Sequence, residues 1–271
     1  MPQLARCARR GDAARRDPTP ATLFRALCRR RPPRPTGDPA SLDGLAAQLR
    51  TLEPSGLAAW LGRLGDHPPE AVATRLGTCA RALTLVAEPR RRCLMSQAVL
   101  AGLRWQGLHG ARVVATHFDA LDLEGRSLAA VLLGLLGIRA AVPRLLRLYA
   151  RTRSDWRAGP LWGLVDLGAP EAVDLLIAEL RERPRLAEIL PMLALAGDER
   201  AVPALAADRE GLWPALRRDH VFALMAIRAR LGAQRFGASL GAAANDDAVD
   251  AVFERLSGGA LVGHFGPLYE G

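Results

Sequence analysis

The sequence predicts an all-α protein, arranged as an α-solenoid of stacked antiparallel helix pairs, and three observations support this prediction. Leu and Ala dominate a hydrophobic fraction of 49%, and aromatic residues make up only 5%, which favours helices over sheets. No segment alternates polar and apolar residues for long, and residues 113–116 are the one short strand candidate. Finally, a short template recurs at an interval of about 30 residues, which is typical of stacked helical repeats.

The repeat template reads Leu-Gly-x-x-x-Ala-Val, with Ala in place of Leu in its third copy. Its glycines are Gly137, Gly168 and Gly197, which are 31 and 29 residues apart. A leucine stands four residues before each glycine, and another stands three residues after each valine. These leucines are Leu133, Leu164, Leu193, Leu145, Leu176 and Leu205. We expect each glycine to end one helix in a left-handed conformation, and Ala-Val to open the next helix. Neither helix buries its apolar stripe alone, so the pairs must stack.

The first 40 residues are predicted to be a basic arm and linker of low order. Residues 1–36 hold ten arginines and only two aspartates, a local charge of +8, and residues 32–40 form a proline-rich linker. Within this arm, residues 20–31 predict a short amphipathic helix with Thr19 as N-cap and Pro20 in its first turn. Its apolar stripe consists of Leu23, Phe24, Leu27 and Cys28.

Residues 41–271 are predicted to form the repeat domain, with its clearest copies over 125–210. Before these copies we expect helices over 41–52, 57–64, 69–87 and 93–107, the first of them followed by a Pro-Ser-Gly turn. Degenerate copies of the template begin at Leu64 and at Gly241. A period of this length predicts about six or seven helix pairs in the domain.

The template resembles the HEAT-repeat family, and most closely the short HEAT-like repeats of phycobilisome lyases. The resemblance covers 125–210 well and the rest of the chain in degenerate form. It implies a HEAT-like α-solenoid in which the second helix of each pair lines a concave surface. Such repeats occur in scaffolds, chaperones and enzymes, so the resemblance leaves the function open. The lyase resemblance implies one specific activity, a chaperone that attaches a bilin to a carrier protein.

The sequence contains no complete catalytic or metal-binding pattern. The phosphate-binding G-x-x-x-x-G-K-[ST] loop, the G-x-G-x-x-G loop and the G-x-S-x-G elbow are all absent. The five histidines form neither H-E-x-x-H nor the His-Glu pairs of HEAT-repeat metal hydroxylases, and the four cysteines form no C-x-x-C pair. We therefore expect no metal, no cofactor, reduced thiols and a non-enzymatic function.

One segment points to a different function. Residues 162–166, Trp-Gly-Leu-Val-Asp, resemble the Trp-x-x-Val-Asp segment of HEAT-like alkylpurine DNA glycosylases. That resemblance implies that Trp162 packs against a nucleotide and that Asp166 stabilises positive charge on its sugar. However, the adjacent acidic and aromatic residues of that family are missing here. The alternative is a structural aspartate between repeats, paired with an arginine of the preceding repeat.

A basic stripe on the second helix of the first clear repeat is the candidate partner-binding surface. Arg144, Arg147 and Arg151 lie at helical spacing, with Arg153 and Arg157 nearby. If this helix lines the concave surface, as the HEAT resemblance implies, the arginines face the groove. The alternative is an ordinary solvated helix face.

The distribution of charge favours a protein partner over DNA. Residues 125–159 carry +6, residues 160–210 carry −5, and most of the +9 of the whole chain lies in the arm. Alternating stripes suit a protein surface, whereas duplex DNA requires a continuous basic track. The sequence thus favours an adaptor that binds a protein partner on the concave face, with the arm as a site for nucleic acid. With no membrane-length apolar run and no secretory signal, we expect no membrane association and a cytoplasmic location.

Overall fold

A computed structural model describes residues 18–30, 41–153, 155–182, 186–207 and 214–240. These residues form helices and turns without any strand, which confirms the all-α prediction. They divide into two compact units on either side of the bond between Ala169 and Pro170. The first unit contains α1 (Pro20–Cys28), α2 (Leu42–Gln48), α3 (Leu57–Leu64), α4 (Pro69–Ala82), α5 (Pro89–Trp105), α6 (Gly107–His117), α7 (Leu123–Leu135), α8 (Val142–Arg151) and α9 (Ala158–Asp166). The second contains α10 (Glu171–Glu182), α11 (Leu186–Ala196), α12 (Ala201–Ala207), α13 (Pro214–Leu231) and α14 (Ala233–Ser239).

Helix α1 has the N-cap that the sequence predicts and most of the predicted apolar stripe, of which Leu23 is only partly buried. The Thr19 hydroxyl accepts a hydrogen bond from the backbone N–H of Thr22, and Pro20 occupies the first turn. Phe24, Leu27 and Cys28 are buried. Low order is predicted for residues 1–18 and 31–40, and all of these except Pro18 lie outside the described residues. The helix between them belongs to the first unit, where it packs against α5, α7 and α9.

The first unit is built from helices that contact each other two apart along the chain. Helix α5 packs against both α3 and α7, and α7 packs against α9. A second series runs from α2 through α4 to α6. Helix α7 lies in the core of this unit, since every residue from Ser127 to Gly134 is buried. Residues 113–116, a strand candidate too short to stand alone, lie within α6. Their β-branched side chains are tolerated in a helix that packs against α4 and α5.

The template glycines behave as predicted at two positions of three. Gly137 and Gly168 have φ of +70° and +62°, and each ends its helix in a Schellman turn. In the first turn the backbone N–H of Ile138 donates a hydrogen bond to the carbonyl oxygen of Leu133 at 3.0 Å. In the second turn the backbone N–H of Ala169 donates to the carbonyl oxygen of Leu164, also at 3.0 Å. The predicted leucines four residues before each glycine therefore supply the acceptors.

Gly197 contradicts the prediction, because it does not adopt a positive φ. A Cβ at this position would lie 2.6 Å from Cδ1 of Ile227 on α13. The third glycine of the template is therefore required by the close approach of α13 rather than by a left-handed turn.

The second unit is organised around α11, which packs against α10 and α13. Arg230 of α13 donates to the carbonyls of Ala194 and Gly197 at 2.5 and 2.7 Å, and so satisfies the C-terminal end of α11. On the surface, Arg200 donates to both Asp174 and Asp198. Burial raises the pKa of Asp198, but the hydrogen bonds from Arg200 outweigh burial and leave this pKa below its ordinary value.

Cys28 and Cys79, two of the cysteines that the sequence analysis expects to be reduced thiols, are free in the structure. Burial raises the pKa of the Cys28 thiol far above its usual range, and Arg104 only partly opposes this effect. None of the described helices combines the length and the apolar character needed to cross a membrane.

Candidate functional site

The close approach of α7 and α9 positions the segment that carries Trp162 and Asp166. A Cβ at Gly163 would lie 2.5 Å from the carbonyl oxygen of Ala130, and one at Gly159 would lie 2.2 Å from that of Ser127. Only glycine permits these backbone contacts. The small residue directly after Trp162 therefore has a packing role, and it fixes the direction in which Trp162 and Asp166 face.

Asp166 is engaged by two arginines of α1. Arg25 binds the carboxylate in a bidentate manner, with Nε 2.8 Å from Oδ2 and Nη2 2.5 Å from Oδ1. Arg29 adds a contact of 3.2 Å between Nη2 and Oδ1. The Arg25 and Asp166 side chains are only 8% and 9% exposed, whereas Arg29 is 50% exposed. The pair is thus a buried, hydrogen-bonded ion pair with a weaker contact on its solvent side.

Trp162 completes the binding of Arg25. The guanidinium carbon of Arg25 lies 3.9 Å from the centroid of the Trp162 ring, which is the geometry of a cation–π contact. The indole Nε1 donates to the Thr22 hydroxyl at 2.7 Å. Trp162 is therefore bound to α1 through both its ring face and its N–H, and it is 3% exposed. Carboxylate and indole, one helical turn apart on α9, together form a receptor for a planar cation.

This arrangement confirms that Asp166 pairs with an arginine, but the partner does not come from the preceding repeat. It comes from α1, at a separation of 141 residues in the chain. Asp166 is the last residue of α9, where the helix dipole disfavours a negative charge. The two arginines supply the compensating positive charge. In this structure both carboxylate oxygens accept hydrogen bonds from arginines of α1.

Sequence reasoning missed Arg25, Arg29 and Thr22, since it counted the arginines only as charge of the arm. Two signals were present. Arg25 directly follows Phe24 at the edge of the buried stripe of the predicted helix, and Asp166 occupies a template position where the sister copies have leucine. A positive and a negative charge that each lie at or beside an apolar position indicate a buried ion pair. However, the sequence does not show that Arg25 and Asp166 are neighbours in the fold.

Arg144, of the predicted partner-binding set, is bound within the first unit. Its Nη1 donates to the carbonyl of Ala115 at 2.9 Å, near the end of α6. Its Nη2 lies 3.6 Å from Asp119, and its guanidinium carbon lies 5.5 Å from the Phe118 ring centroid. Arg144 therefore connects α8 to the end of α6.

The other four predicted arginines differ in their surroundings. Arg147, Arg151 and Arg153 are exposed and make no hydrogen bond or ion pair with any described residue. Arg157 lies over the Tyr149 ring, 4.3 Å from its centroid. An open depression of about 390 Å³ adjoins Arg144 and Arg147, with apolar walls from Leu133, Ile138 and Pro143. The structure thus brings Arg144 and Arg147 together beside an apolar surface.

Among the described residues, no three His, Cys, Asp or Glu side chains cluster in a way that could hold a metal ion. Compared with known proteins, the chain matches no protein-family model and no curated sequence.

Proposed function

We propose that the protein is a non-enzymatic interaction module, a HEAT-like α-solenoid whose α8 face binds a protein partner. The observation that carries the proposal is the pair Arg147 and Arg151, which are exposed on one face of α8 without any partner among the described residues. Two exposed arginines on one helix face, of which Arg147 adjoins the apolar depression, suit a segment that offers carboxylates and an apolar side chain. The α3–α5–α7–α9 series and the two Schellman turns support the solenoid part of the proposal.

The partner class is tested with synthetic peptides. A labelled peptide of alternating Glu and Leu is titrated with the wild-type chain and with the Arg147→Glu/Arg151→Glu variant, and anisotropy is measured. We expect the variant to bind at least about tenfold more weakly, since two attractive contacts become repulsive. The matched control is Arg50→Glu/Arg81→Glu, which reverses two exposed arginines elsewhere. Equal losses in both variants, or a loss in neither, would remove the α8 face from the proposal.

A second function is favoured by one observation, the planar cation held between Trp162 and Asp166. An alkylated purine is also a planar cation, so displacement of α1 would expose a site of the glycosylase kind. The test compares release of alkylated bases from DNA by the wild-type chain and by Arg25→Ala. Release that increases in Arg25→Ala and is absent in Arg25→Ala/Asp166→Asn supports this function. No release by any variant would exclude it.

A further inference from the structure

Helix α1 is bound to the first unit in the way that a peptide ligand binds a groove. It has nine residues, and it contacts α5, α7 and α9. Ala21, Phe24, Leu27 and Cys28 are each at most 7% exposed. A helix of this length is marginal in water by itself, so its structure depends on the groove. Apolar residues at helical spacing in a hydrophobic groove are the usual mode of helix recognition.

The groove contacts three polar side chains of α1, Thr22, Arg25 and Arg29, and binds Arg25 most extensively. The bidentate contact between Asp166 and Arg25 requires the planar fork of a guanidinium, and the Trp162 ring stacks on the same group. Lysine offers neither feature, because its ammonium is a point charge. The Asp166–Trp162 pair therefore selects an arginine that follows an aromatic residue on an amphipathic helix.

Other elements build the groove without α1. Contacts at Gly159 and Gly163 fix the distance between α7 and α9, and α5 packs against α7 directly. We propose that this groove is a docking site for an arginine-bearing amphipathic helix supplied by a partner protein, and that α1 occupies the site in cis. The charges are complementary: the groove offers a buried carboxylate, and the ligand helix carries Arg with a second Arg one turn later.

Because α1 of the same chain occupies the groove, a partner helix must compete with it for binding. A tethered ligand acts at an effective concentration on the order of millimolar, so a free helix competes poorly with α1 in the wild-type chain. A chain whose α1 is expelled binds the same helix more tightly. Cys28 reports the exchange, since its thiol is buried when α1 is bound and becomes accessible when α1 leaves.

The first experiment uses the full-length chain with Phe24→Asp/Arg25→Glu, which removes an apolar anchor and places a negative charge next to Asp166. The probe is a fluorescent peptide of residues 18–30. We expect it to bind this variant at least about tenfold more tightly than the wild-type chain. A peptide with Glu in place of Arg25 should not bind, and Asp166→Asn in the same variant should abolish binding. Equal binding of both peptides, or binding that survives Asp166→Asn, would overturn the proposal.

The second experiment needs no destabilised variant. The wild-type chain is alkylated in the presence of the peptide, in which Ser replaces Cys28, and modified sites are located by mass spectrometry. At saturating peptide we expect Cys28 to react at least about fivefold faster, while half-exposed Cys79 on α4 keeps its rate. An unchanged Cys28 rate would overturn competition for the groove. Concentration-dependent dimers of the wild-type chain that the double variant does not form would assign the groove to a second copy, and would overturn a partner helix.

Discussion

Arg25 on α1 and Arg147 on α8 are the same residue type on short amphipathic helices of one unit, yet they have opposite environments. Arg25 is 7% exposed and is bound by a carboxylate and an indole ring. Arg147 is exposed and has no described partner. Both belong to segments of high positive charge, so local charge does not distinguish them. The difference depends on whether a carboxylate comes from elsewhere in the fold, and it separates an intramolecular anchor from an arginine that is free to bind a partner.

The largest effect is expected for Asp166→Ala, which leaves Arg25 buried without a counter-charge. Removal of one partner from a buried ion pair costs about 3–5 kcal/mol in the free energy of unfolding. Urea denaturation of the purified chain measures this loss. The matched control is Arg29→Ala, which removes only the half-exposed contact and should cost less than about 1 kcal/mol. Equal effects of the two substitutions would mean that the buried pair is no stronger than a surface contact.

The extent of sequence-based prediction differs between the two arginines for a physical reason. The caps of α1 depend on adjacent residues, so Thr19 and Pro20 were predicted and are confirmed. The contact between Arg25 and Asp166 joins residues 141 positions apart, and no local pattern encodes it. The template shows the same limit, since tertiary packing against α13 rather than turn geometry explains Gly197.

The charge distribution needs a corresponding revision. Two of the ten arginines in residues 1–36, Arg25 and Arg29, are used inside the first unit by Asp166. They are therefore not available to nucleic acid while α1 is bound. The helices themselves were predictable because apolar spacing is a local signal, and the prediction of an all-α fold is confirmed. Which face of each helix meets which neighbour was not predictable, since the repeats share one pattern of leucines.

The next largest effect tests whether the close packing of α9 against α7 holds the site that binds Arg25. Gly163→Ala should cost about 2–3 kcal/mol, because its Cβ would lie 2.5 Å from a backbone oxygen and would force α7 and α9 apart. Gly168→Ala is the control, since nothing lies within 4 Å of its Cβ and only the positive φ is strained. Its cost should be about 1 kcal/mol. Chemical denaturation measures both, and a larger loss for Gly168→Ala would contradict the packing argument.

A smaller effect concerns pH and again distinguishes the buried helix from the exposed face. Burial raises the pKa of the Cys28 thiol above its ordinary value of 9.0. At a pH above 9.0 the unfolded chain therefore releases the thiol proton, whereas the folded chain keeps it. The associated stability is complete below that pH and is lost as pH rises above it. One proton lowers the free energy of unfolding by about 1.4 kcal/mol for each pH unit.

Urea denaturation between about pH 8 and pH 10.5 checks this slope in the wild-type chain and in Cys28→Ala. The free energy of unfolding of Cys28→Ala should fall less steeply with pH, and the difference in slope should correspond to one proton. Its packing is weaker at every pH, which lowers the whole curve without changing this difference. Arg147→Ala should keep the wild-type slope. Parallel curves for the wild-type chain and Cys28→Ala would show that the thiol is not protected in the folded state.

The smallest effects on stability are expected for substitutions on the α8 face, where Arg144 and Arg147 should behave differently. Arg144→Ala removes the hydrogen bond to the Ala115 carbonyl and the contact with Asp119, and should cost about 1 kcal/mol. Arg147→Ala should change stability by less than about 0.5 kcal/mol, because its guanidinium has no described partner to lose. Thermal denaturation of the two variants at equal ionic strength measures the difference. A loss at Arg147 as large as that at Arg144 would mean that Arg147 is held within the chain. Partner binding would then have to depend on Arg151 and Arg153, whose surroundings leave them exposed to solvent.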